Sequence, residues 1–284
     1  MGEGKTGTMP ELPEVETVRR GLDGMVTGRT IASINTDLPK MLRGKKPRAF
    51  TKAVAGSKIN SVNRRGKMLI LNLSNGLTIV AHLKMTGQLL VTKHGVPVEP
   101  WTHVTVELKG GRDIRFRDIR QFGYMEIKRT EDIGESGENM PGLGPEPLDR
   151  SFTSGVFAWR LKKRPKSRIK ALLIDQSFIA GIGNIYADEV LHYAGVKPGR
   201  RTATLSVRER EQLYNGIRKI LRAAIEKRGT SVSTFVDTRG QHGGYRPYLK
   251  VYKRAGEMCP NGCGPVKRIV VGGRSSHYCP KCQH

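Results

Sequence analysis

The spacing of four cysteines near the end of the chain constrains its fold more than any other sequence feature. Three residues separate the first pair, two separate the second, and 15 lie between the pairs of Cys259, Cys263, Cys279 and Cys282. This spacing is typical of four thiolates around one tetrahedral zinc ion, not of a disulfide framework. Because so short a segment cannot build its own core, we expect zinc to stabilise a small zinc-ribbon hairpin there. His277 and His284 are spare ligand candidates that we expect to be exposed.

Charge is the second constraint. The 284 residues include 50 Lys and Arg against 25 Asp and Glu, a formal net charge of +25. The excess extends along the whole chain and indicates a polyanionic partner, most simply nucleic acid. The sequence has neither an apolar run near the roughly 18 residues of a membrane span nor the apolar core of a secretory signal. Cysteines spaced for a metal rather than for disulfides are typical of a reducing compartment. Together with the lack of a span or signal in the sequence, they predict a cytoplasmic protein without a membrane partner.

The pattern of apolar residues changes from β-like to helical along the chain. Between about residues 29 and 127, short alternating segments are joined by turn signals such as Asn75-Gly76 and Gly110-Gly111, as in the hairpins of a β-sandwich. Further on, apolar residues recur at helical spacing, and Ser206 with Glu209 forms a capping box before a long helix. The predicted fold class is α+β: an N-terminal β-sandwich flanked by helices, a helical domain, and the zinc-bearing hairpin.

A free N-terminal proline would give this chain a nucleophile. If translation begins at Met9, removal of that residue leaves Pro10 as a secondary amine. Its pKa of about 8, far below that of a lysine, leaves a reactive fraction unprotonated at neutral pH. Such an amine attacks an aldehyde-like carbon and forms an iminium, while Glu11, with Glu14 close by, transfers protons. Residues 1–8 would keep the Pro10 nitrogen as an amide, so we interpret them as a misassigned start, a processed leader or expression-derived residues.

Several motifs resemble the bacterial formamidopyrimidine-DNA glycosylases. Pro10-Glu11-Leu12-Pro13-Glu14-Val15-Glu16-Thr17 is similar to the mature N-terminus of that family. Lys170-x4-Asp175-Gln176, followed by Gly181-x-Gly183-Asn184-Ile185-Tyr186, resembles its helix–two-turn–helix, and residues 82–87 and 118–123 resemble its lesion-contacting segments. The resemblance covers residues 9–284. It implies excision of oxidised purines, 8-oxoguanine and formamidopyrimidines, from duplex DNA, and then strand cleavage at the abasic site.

The resemblance implies catalytic roles for four residues. Pro10 would attack C1′ of the damaged nucleotide, and Glu11 would handle protons at the sugar. Lys67 matches a family lysine near the reacting sugar, and Arg274 matches the zinc-hairpin arginine that contacts a phosphate. These assignments require the Pro10 nitrogen to be free.

The resemblance also implies five DNA-binding residues. Lys170 and Asn184 would grip phosphates around the lesion. A flipped-out base leaves a gap in the duplex, which an unbranched Met85 and an aromatic Phe122 would fill. Arg120 would hydrogen-bond the orphaned cytosine.

The predicted roles divide the chain into five segments. Residues 1–9 are an extension absent from the active enzyme, and 10–144 are the catalytic β-sandwich domain. Residues 145–165 are a linker, and 166–248 are a helical DNA-binding domain that includes a mobile, glycine-rich loop over the extruded base. Residues 249–284 are the zinc finger, with one structural zinc. The expected functional form is a monomer bound to damaged double-stranded DNA.

Two other functions remain open from the sequence. The sister family that acts on oxidised pyrimidines shares the terminal Pro-Glu, the helical motif and zinc. It typically has Gly in place of Leu12 and lacks the set of Met85, Arg120 and Phe122. A non-catalytic nucleic-acid-binding zinc protein would result if the extension permanently masked Pro10. The first cysteine pair also departs from the glycosylase family, which usually has two intervening residues where this chain has three.

Overall fold

The computed structural model describes residues 8–284. Residues 1–7, which belong to the predicted extension, lie outside this range. The described chain divides into two compact units. The N-terminal unit contains the described residues up to Pro141 together with Lys227–Gly244, and the C-terminal unit contains Gly142–Glu226 and Tyr245–His284. Among the helices of residues 8–284, none is both long and apolar enough to cross a bilayer.

Two β-sheets and three helices make up the described part of the N-terminal unit. The strands are β1 (Ile31–Thr36), β2 (Leu42–Arg43), β3 (Ile59–Arg65), β4 (Met68–Leu73), β5 (Leu77–His82), β6 (Gly87–Lys93), β7 (Thr102–Leu108), β8 (Arg112–Asp118) and β9 (Tyr124–Arg129). The helices are α1 (Leu12–Val26), α2 (Pro47–Val54) and α3 (Thr130–Ile133). One sheet has the order β1-β7-β8-β6 and the other β2-β9-β5-β4-β3. Neighbouring strands are antiparallel except β2 and β9.

The two sheets share one hydrophobic core with α1 and α2. Alternation along β7 buries Val104 and Val106, as expected of a strand with one covered face. The apolar stripe of α1, formed by Val15, Val18 and Leu22, is fully buried in the same core. Both predicted hairpins form, β4 with β5 and β7 with β8. The predicted β-sandwich flanked by helices is therefore confirmed.

Helices dominate the C-terminal unit, which ends in a β-hairpin. The elements are α4 (Ser154–Lys162), α5 (Ile169–Ile174), α6 (Asn184–Tyr193), α7 (Val207–Glu226), β10 (Lys267–Val271) and β11 (Arg274–Tyr278). The predicted capping box precedes α7: the Ser206 N–H donates to Glu209 Oε2 at 2.7 Å, and the Glu209 N–H donates to Ser206 Oγ at 3.2 Å. The α+β class is thus confirmed in this unit as well.

The predicted linker over residues 145–165 contains a helix that the sequence analysis missed. Thr153 caps α4, accepting the Val156 N–H on its hydroxyl at 3.2 Å. Phe157 and Leu161, four residues apart on one helical face, are both buried. Basic residues follow this short apolar pattern directly, so the pattern by itself does not predict a helix.

Lys227–Gly244 lies in the N-terminal unit, whereas the sequence analysis groups it with the helical domain. Its composition predicts a mobile loop, but hydrogen bonds hold it on β6. The Val91 N–H donates to Thr238 O at 2.9 Å, and the Gln88 side chain donates to Thr234 O. The second pair lies 146 residues apart in sequence, so the composition of the loop alone does not reveal these contacts.

Candidate functional site

The start of α1 places Pro10 directly before a rigid cap. Glu11 is the N-cap residue: its carboxylate accepts the Glu14 N–H, and the Glu14 carboxylate accepts the Glu11 N–H at 2.9 Å. Pro10 and Glu11 are both buried. The helix begins at Leu12, so Pro13 takes the second helical position. This cap fixes the backbone next to the predicted nucleophile.

The Glu14 carboxylate accepts backbone N–H groups from two segments of the chain that are far apart in sequence. Its Oε2 accepts the Glu11 N–H, and its Oε1 accepts the Thr230 N–H at 2.7 Å. Gly229, with φ of +79°, approaches so closely that a Cβ there would come within 2.8 Å of Glu14 Oε1. Both carboxylate oxygens of Glu14 therefore support backbone from two segments of the chain.

Lys67 lies in the turn between β3 and β4, with 6% of its surface exposed. Three residues earlier, Arg64 Nε donates to Glu16 Oε2 at 3.2 Å. Burial alone would raise the pKa of Glu16, but hydrogen bonds from Arg19 and the charge of Arg64 lower it below its usual value. This ion pair fixes the end of β3, which leads into the turn with Lys67, against the helix that begins after Glu11.

Met85, Arg120 and Phe122 come together from two separate segments, and we call this set the wedge. Arg120 Nη1 donates to Met85 Sδ at 3.1 Å, and Arg120 Cζ lies 5.0 Å from the centroid of the Phe122 ring. The Phe122 side chain keeps 51% of its surface exposed. An exposed ring beside a guanidinium and a flexible thioether is suited to enter a base stack.

A buried carboxylate that the sequence analysis did not assign holds the wedge together. Asp118 is fully buried and accepts the backbone N–H groups of Arg120 and Phe122 at 3.2 and 2.9 Å. It also accepts the hydroxyl of Thr86, which adjoins Met85. One side chain therefore fixes both segments of the wedge. Asp118 and Thr86 both lie in the motif segments, and this is the signal that could have identified them.

His82, three residues before Met85, is held neutral. Its Nδ1 accepts the Lys84 N–H at 2.9 Å. Burial, with the charges of Lys84 and Lys67, lowers the pKa of His82 to about 3. The imidazole therefore remains an acceptor throughout the physiological range.

This neutral histidine predicts a loss of stability in acid. The pKa of His82 is about 3 in the folded protein and about 6.5 in an unfolded chain, so below pH 6.5 only the unfolded state gains the proton. We expect the free energy of unfolding to fall by about 2–3 kcal/mol between pH 6.5 and 4.5 from this group. Urea unfolding of wild type and His82→Asn isolates it, because the carboxylates titrate in both proteins. Parallel pH curves for the two proteins would contradict the prediction.

In the C-terminal unit, the turn at residues 181–183 leads into α6, whose first residue is Asn184. Gln176 braces this turn: its Nε2 donates to Ile182 O at 2.8 Å, and its Oε1 accepts the Gly181 N–H at 2.9 Å. Gly181 has φ of +87°, which glycine adopts without strain. Asn184 Oδ1 is buried without a hydrogen-bond partner among residues 8–284. A helix N-terminus that also carries an amide suits a phosphate.

Lys170 is placed differently from the sequence-based expectation. Its side chain is fully buried, and its Nζ pairs with Asp188 Oδ1 and donates to Asn184 O at 2.9 Å. Asp188 Oδ2 accepts the His277 N–H at 2.9 Å and lies 3.1 Å from His277 Nδ1. A buried, paired ammonium is not presented to solvent, which argues against the predicted phosphate contact. Lys170 instead joins α5 to α6, and Asp188 joins α6 to β11.

Arg274 begins β11 directly after a glycine turn, and it is exposed. That turn packs on α5, since a Cβ on Gly272 would lie 3.1 Å from Ala171 Cβ. The hairpin tip is therefore seated on a helix while the guanidinium faces outward. This placement is compatible with the predicted phosphate contact.

The four cysteines converge as a zinc site requires. Their sulfur atoms all lie within 4.8 Å of one another, with 3.8 Å between Cys259 and Cys282 and 3.3 Å between Cys263 and Cys279. Tetrahedral Zn–S bonds of about 2.3 Å place the sulfurs about 3.8 Å apart. The extra residue of the first pair fits in a turn in which the Gly262 N–H donates to Cys259 O at 2.8 Å. The chain therefore carries one structural zinc.

The two spare histidines are not arranged as ligands. His284 is exposed, as predicted. His277 is buried and bonded to Asp188, so the prediction that it is exposed is wrong. A different histidine, His192, places its Nε2 3.4 Å from Cys259 Sγ. It lies on α6, 67 residues from Cys259, so no local pattern in the sequence points to it.

Removal of zinc is expected to unfold the C-terminal hairpin. Its apolar cluster consists of Val251, Val266 and the cysteines themselves, so little core remains without the metal, whose binding supplies about 10–16 kcal/mol in small fingers. Chelation should release one zinc per chain and abolish hydrogen-exchange protection of β10 and β11. The sheets of the N-terminal unit should stay protected as the internal control. Retained protection of the hairpin after complete zinc release would contradict this.

Comparison with known proteins finds the same three parts. Residues 9–125 match the family model of the formamidopyrimidine-DNA glycosylase N-terminal domain, and residues 143–236 match that of its H2TH domain. Residues 256–284 match a zinc finger found in FPG and IleRS. The matches together cover most of the chain.

Known proteins resemble this chain over nearly its whole length. The formamidopyrimidine-DNA glycosylase of Pelotomaculum thermopropionicum is 45% identical over 275 residues, with 97% of this chain and 99% of the relative covered. Lactococcus lactis Fpg in complex with abasic-site DNA has a TM-score of 0.88 to 0.89 at 34% identity, with 96% of this chain and 99% of that chain covered. A mutant of that protein with Fapy-dG-containing DNA has a TM-score of 0.89 at 34% identity, with 97% and 100% covered.

Proposed function

Because the chain belongs to the formamidopyrimidine-DNA glycosylase family, we propose that it excises oxidised purines from duplex DNA and then cleaves the strand at the abasic site. The protein is a DNA repair glycosylase that acts on damaged DNA. Its net charge of +25 suits this polyanionic substrate. All of the proposed catalytic and binding groups lie on one chain, so a monomer suffices, and we assign it to nucleoid DNA in the bacterial cytoplasm.

The assembly of the wedge is the observation that supports oxidised purines as substrate. Extrusion of a damaged base leaves a gap in the stack. Met85 and Phe122 provide apolar groups to fill it, and the planar Arg120 guanidinium provides donors for the orphaned cytosine. The Arg120–Met85 contact of 3.1 Å and the shared support from Asp118 hold these groups ready.

In the proposed reaction, the Pro10 nitrogen attacks C1′ of the damaged nucleotide, and the bond from C1′ to the base breaks. Glu11 protonates the ring oxygen, the sugar opens, and an iminium joins Pro10 to C1′. The iminium acidifies the neighbouring C2′ protons, so the 3′ and then the 5′ phosphate leave by successive eliminations. Lys67 stands near the sugar, and Asn184 and Arg274 hold flanking phosphates.

Excision assays test this proposal. With a chain that begins at Pro10, we expect 8-oxoguanine opposite cytosine to be released at least about tenfold faster than thymine glycol. Arg120→Ala should lose about 1–3 kcal/mol of the preference for cytosine over adenine opposite 8-oxoguanine, because Arg120 contacts the orphaned base. Phe122→Ala should slow release of 8-oxoguanine, because it removes the ring that fills the gap in the stack. Trp159→Ala removes a similarly exposed aromatic of the C-terminal unit, with 57% of its surface exposed, and should not slow release. Faster release of the oxidised pyrimidine would establish the sister activity instead.

A further inference from the structure

Two cations lie over one tyrosine beside the wedge, and a third bonds to a nearby glutamine. The Arg43 Cζ lies 3.7 Å from the centroid of the Tyr124 ring, and Lys84 Nζ lies 5.7 Å from it. Lys40 Nζ donates to Gln121 Oε1 at 3.3 Å. Lys40, Arg43 and Lys84 line one surface groove together with Met85, Gln121, Phe122 and Gly123. We call this groove, defined by Lys40, Arg43 and Lys84, the basic groove.

The cations of the basic groove have no carboxylate partner within the described chain. None of Lys40, Arg43 and Lys84 forms an ion pair with residues 8–284. Glu126, two residues after Tyr124, is paired with Lys128 at 2.6 Å. Three unneutralised charges in one concave surface attract an anion more strongly than scattered surface lysines do.

Two of these cations are held in geometry that suits a phosphodiester. Arg43 stacks its face on Tyr124, which leaves the N–H groups along its edge free for bidentate contact with phosphate oxygens. Lys84 adopts φ of +53°, a conformation that costs a non-glycine residue about 1 kcal/mol or more. Its N–H is fixed by His82 Nδ1 at 2.9 Å, so the backbone holds the ammonium on the groove.

We propose that Lys40, Arg43 and Lys84 bind phosphates of the undamaged DNA strand. The inference rests on the proposed function, in which Arg120 and Phe122 contact the orphaned base. That base belongs to the undamaged strand, so its backbone is the one that passes next to the groove bordered by Phe122. The basic groove thus holds the intact strand while the lesion strand is processed.

Salt-dependent binding tests the basic groove. The ligand is a duplex with a tetrahydrofuran abasic analogue, which needs no excision, so the result does not depend on glycosylase activity. In Lys40→Gln/Lys84→Asn, the slope of log Kd against log salt should fall by about 2 and binding should weaken about tenfold or more. Asn tolerates the left-handed conformation at position 84. The control Lys52→Gln/Lys109→Gln removes two exposed charges from the same unit and should change the slope far less.

Methylphosphonate substitution identifies the strand. Neutral linkages in the undamaged strand near the orphaned base should weaken binding of wild type, and they should have little further effect on the Lys40→Gln/Lys84→Asn variant. Equal salt slopes for the groove and control variants would overturn the proposal. The proposal would also be overturned if, in the Lys40→Gln/Lys84→Asn variant, neutral linkages stopped weakening binding when placed in the damaged strand but not when placed in the undamaged strand.

Discussion

A chain that begins at Pro10 is expected to cleave DNA at 8-oxoguanine. The chain that retains residues 1–9 is expected to cleave at least about 10⁴-fold more slowly, because loss of a catalytic nucleophile lowers rates by about this factor. In the longer chain the Pro10 nitrogen is an amide, whose lone pair is delocalised into the carbonyl. In the shorter chain it is a secondary amine with a pKa near about 8. Strand cleavage under single-turnover conditions measures the difference.

Binding separates the chemical effect from a folding defect. Both chains should bind the tetrahydrofuran duplex and melt at similar temperatures, because Glu11 and Glu14 form their capping box in the presence of the preceding residues. Mass spectrometry fixes the first residue of each preparation. Equal cleavage rates for two preparations of verified mass would show that Pro10 is not the nucleophile.

Lys170→Met is expected to lower the free energy of unfolding of the C-terminal unit by about 3–5 kcal/mol, because it leaves a buried, uncompensated Asp188 carboxylate. Both partners of this pair are fully buried. The double variant Lys170→Met/Asp188→Leu should recover part of the loss, since an apolar pair removes the unpaired charge. Urea unfolding followed by helix circular dichroism measures both variants.

An exposed ion pair of the same unit provides the matched control. Arg254 and Glu257 are paired at 2.7 Å with 31% and 57% of their side chains exposed. Glu257→Gln keeps the bonds from Arg254 to Leu249 O and Lys250 O, and it should cost no more than about 1 kcal/mol. Normal DNA binding and stability in Lys170→Met would contradict the structural role. A variant that keeps its stability but loses DNA affinity would restore the phosphate contact predicted from the sequence.

Local patterns in the sequence were sufficient for much of the fold. The stripe of α7, the turns at Asn75-Gly76 and Gly110-Gly111, and the Ser206 capping box depend on residues close in sequence, and each is present. The thiol spacing predicted the metal cluster for the same reason. The resemblance located the wedge residues, and the structure brings all three of them together.

Contacts between distant residues were beyond the reach of sequence patterns. The motif drew attention to Lys170, but its partner Asp188 is a residue of α6 that only the packing of α5 reveals. Likewise, Asp118 supports Thr86 from 32 residues away, and Glu14 holds Thr230 from 216 residues away. Charge alone does not distinguish a lysine that faces solvent from one that pairs inside the protein, because burial decides which it is.

Borohydride trapping tests the central proposal, covalent catalysis by Pro10, most directly. Wild-type chain beginning at Pro10 is incubated with a duplex that carries 8-oxoguanine opposite cytosine, the iminium is reduced, and the cross-linked peptide is sequenced by mass spectrometry. We predict one cross-link, at the Pro10 nitrogen. No cross-link, or a cross-link at a lysine such as Lys67, from protein whose mass proves a free Pro10 would contradict this mechanism.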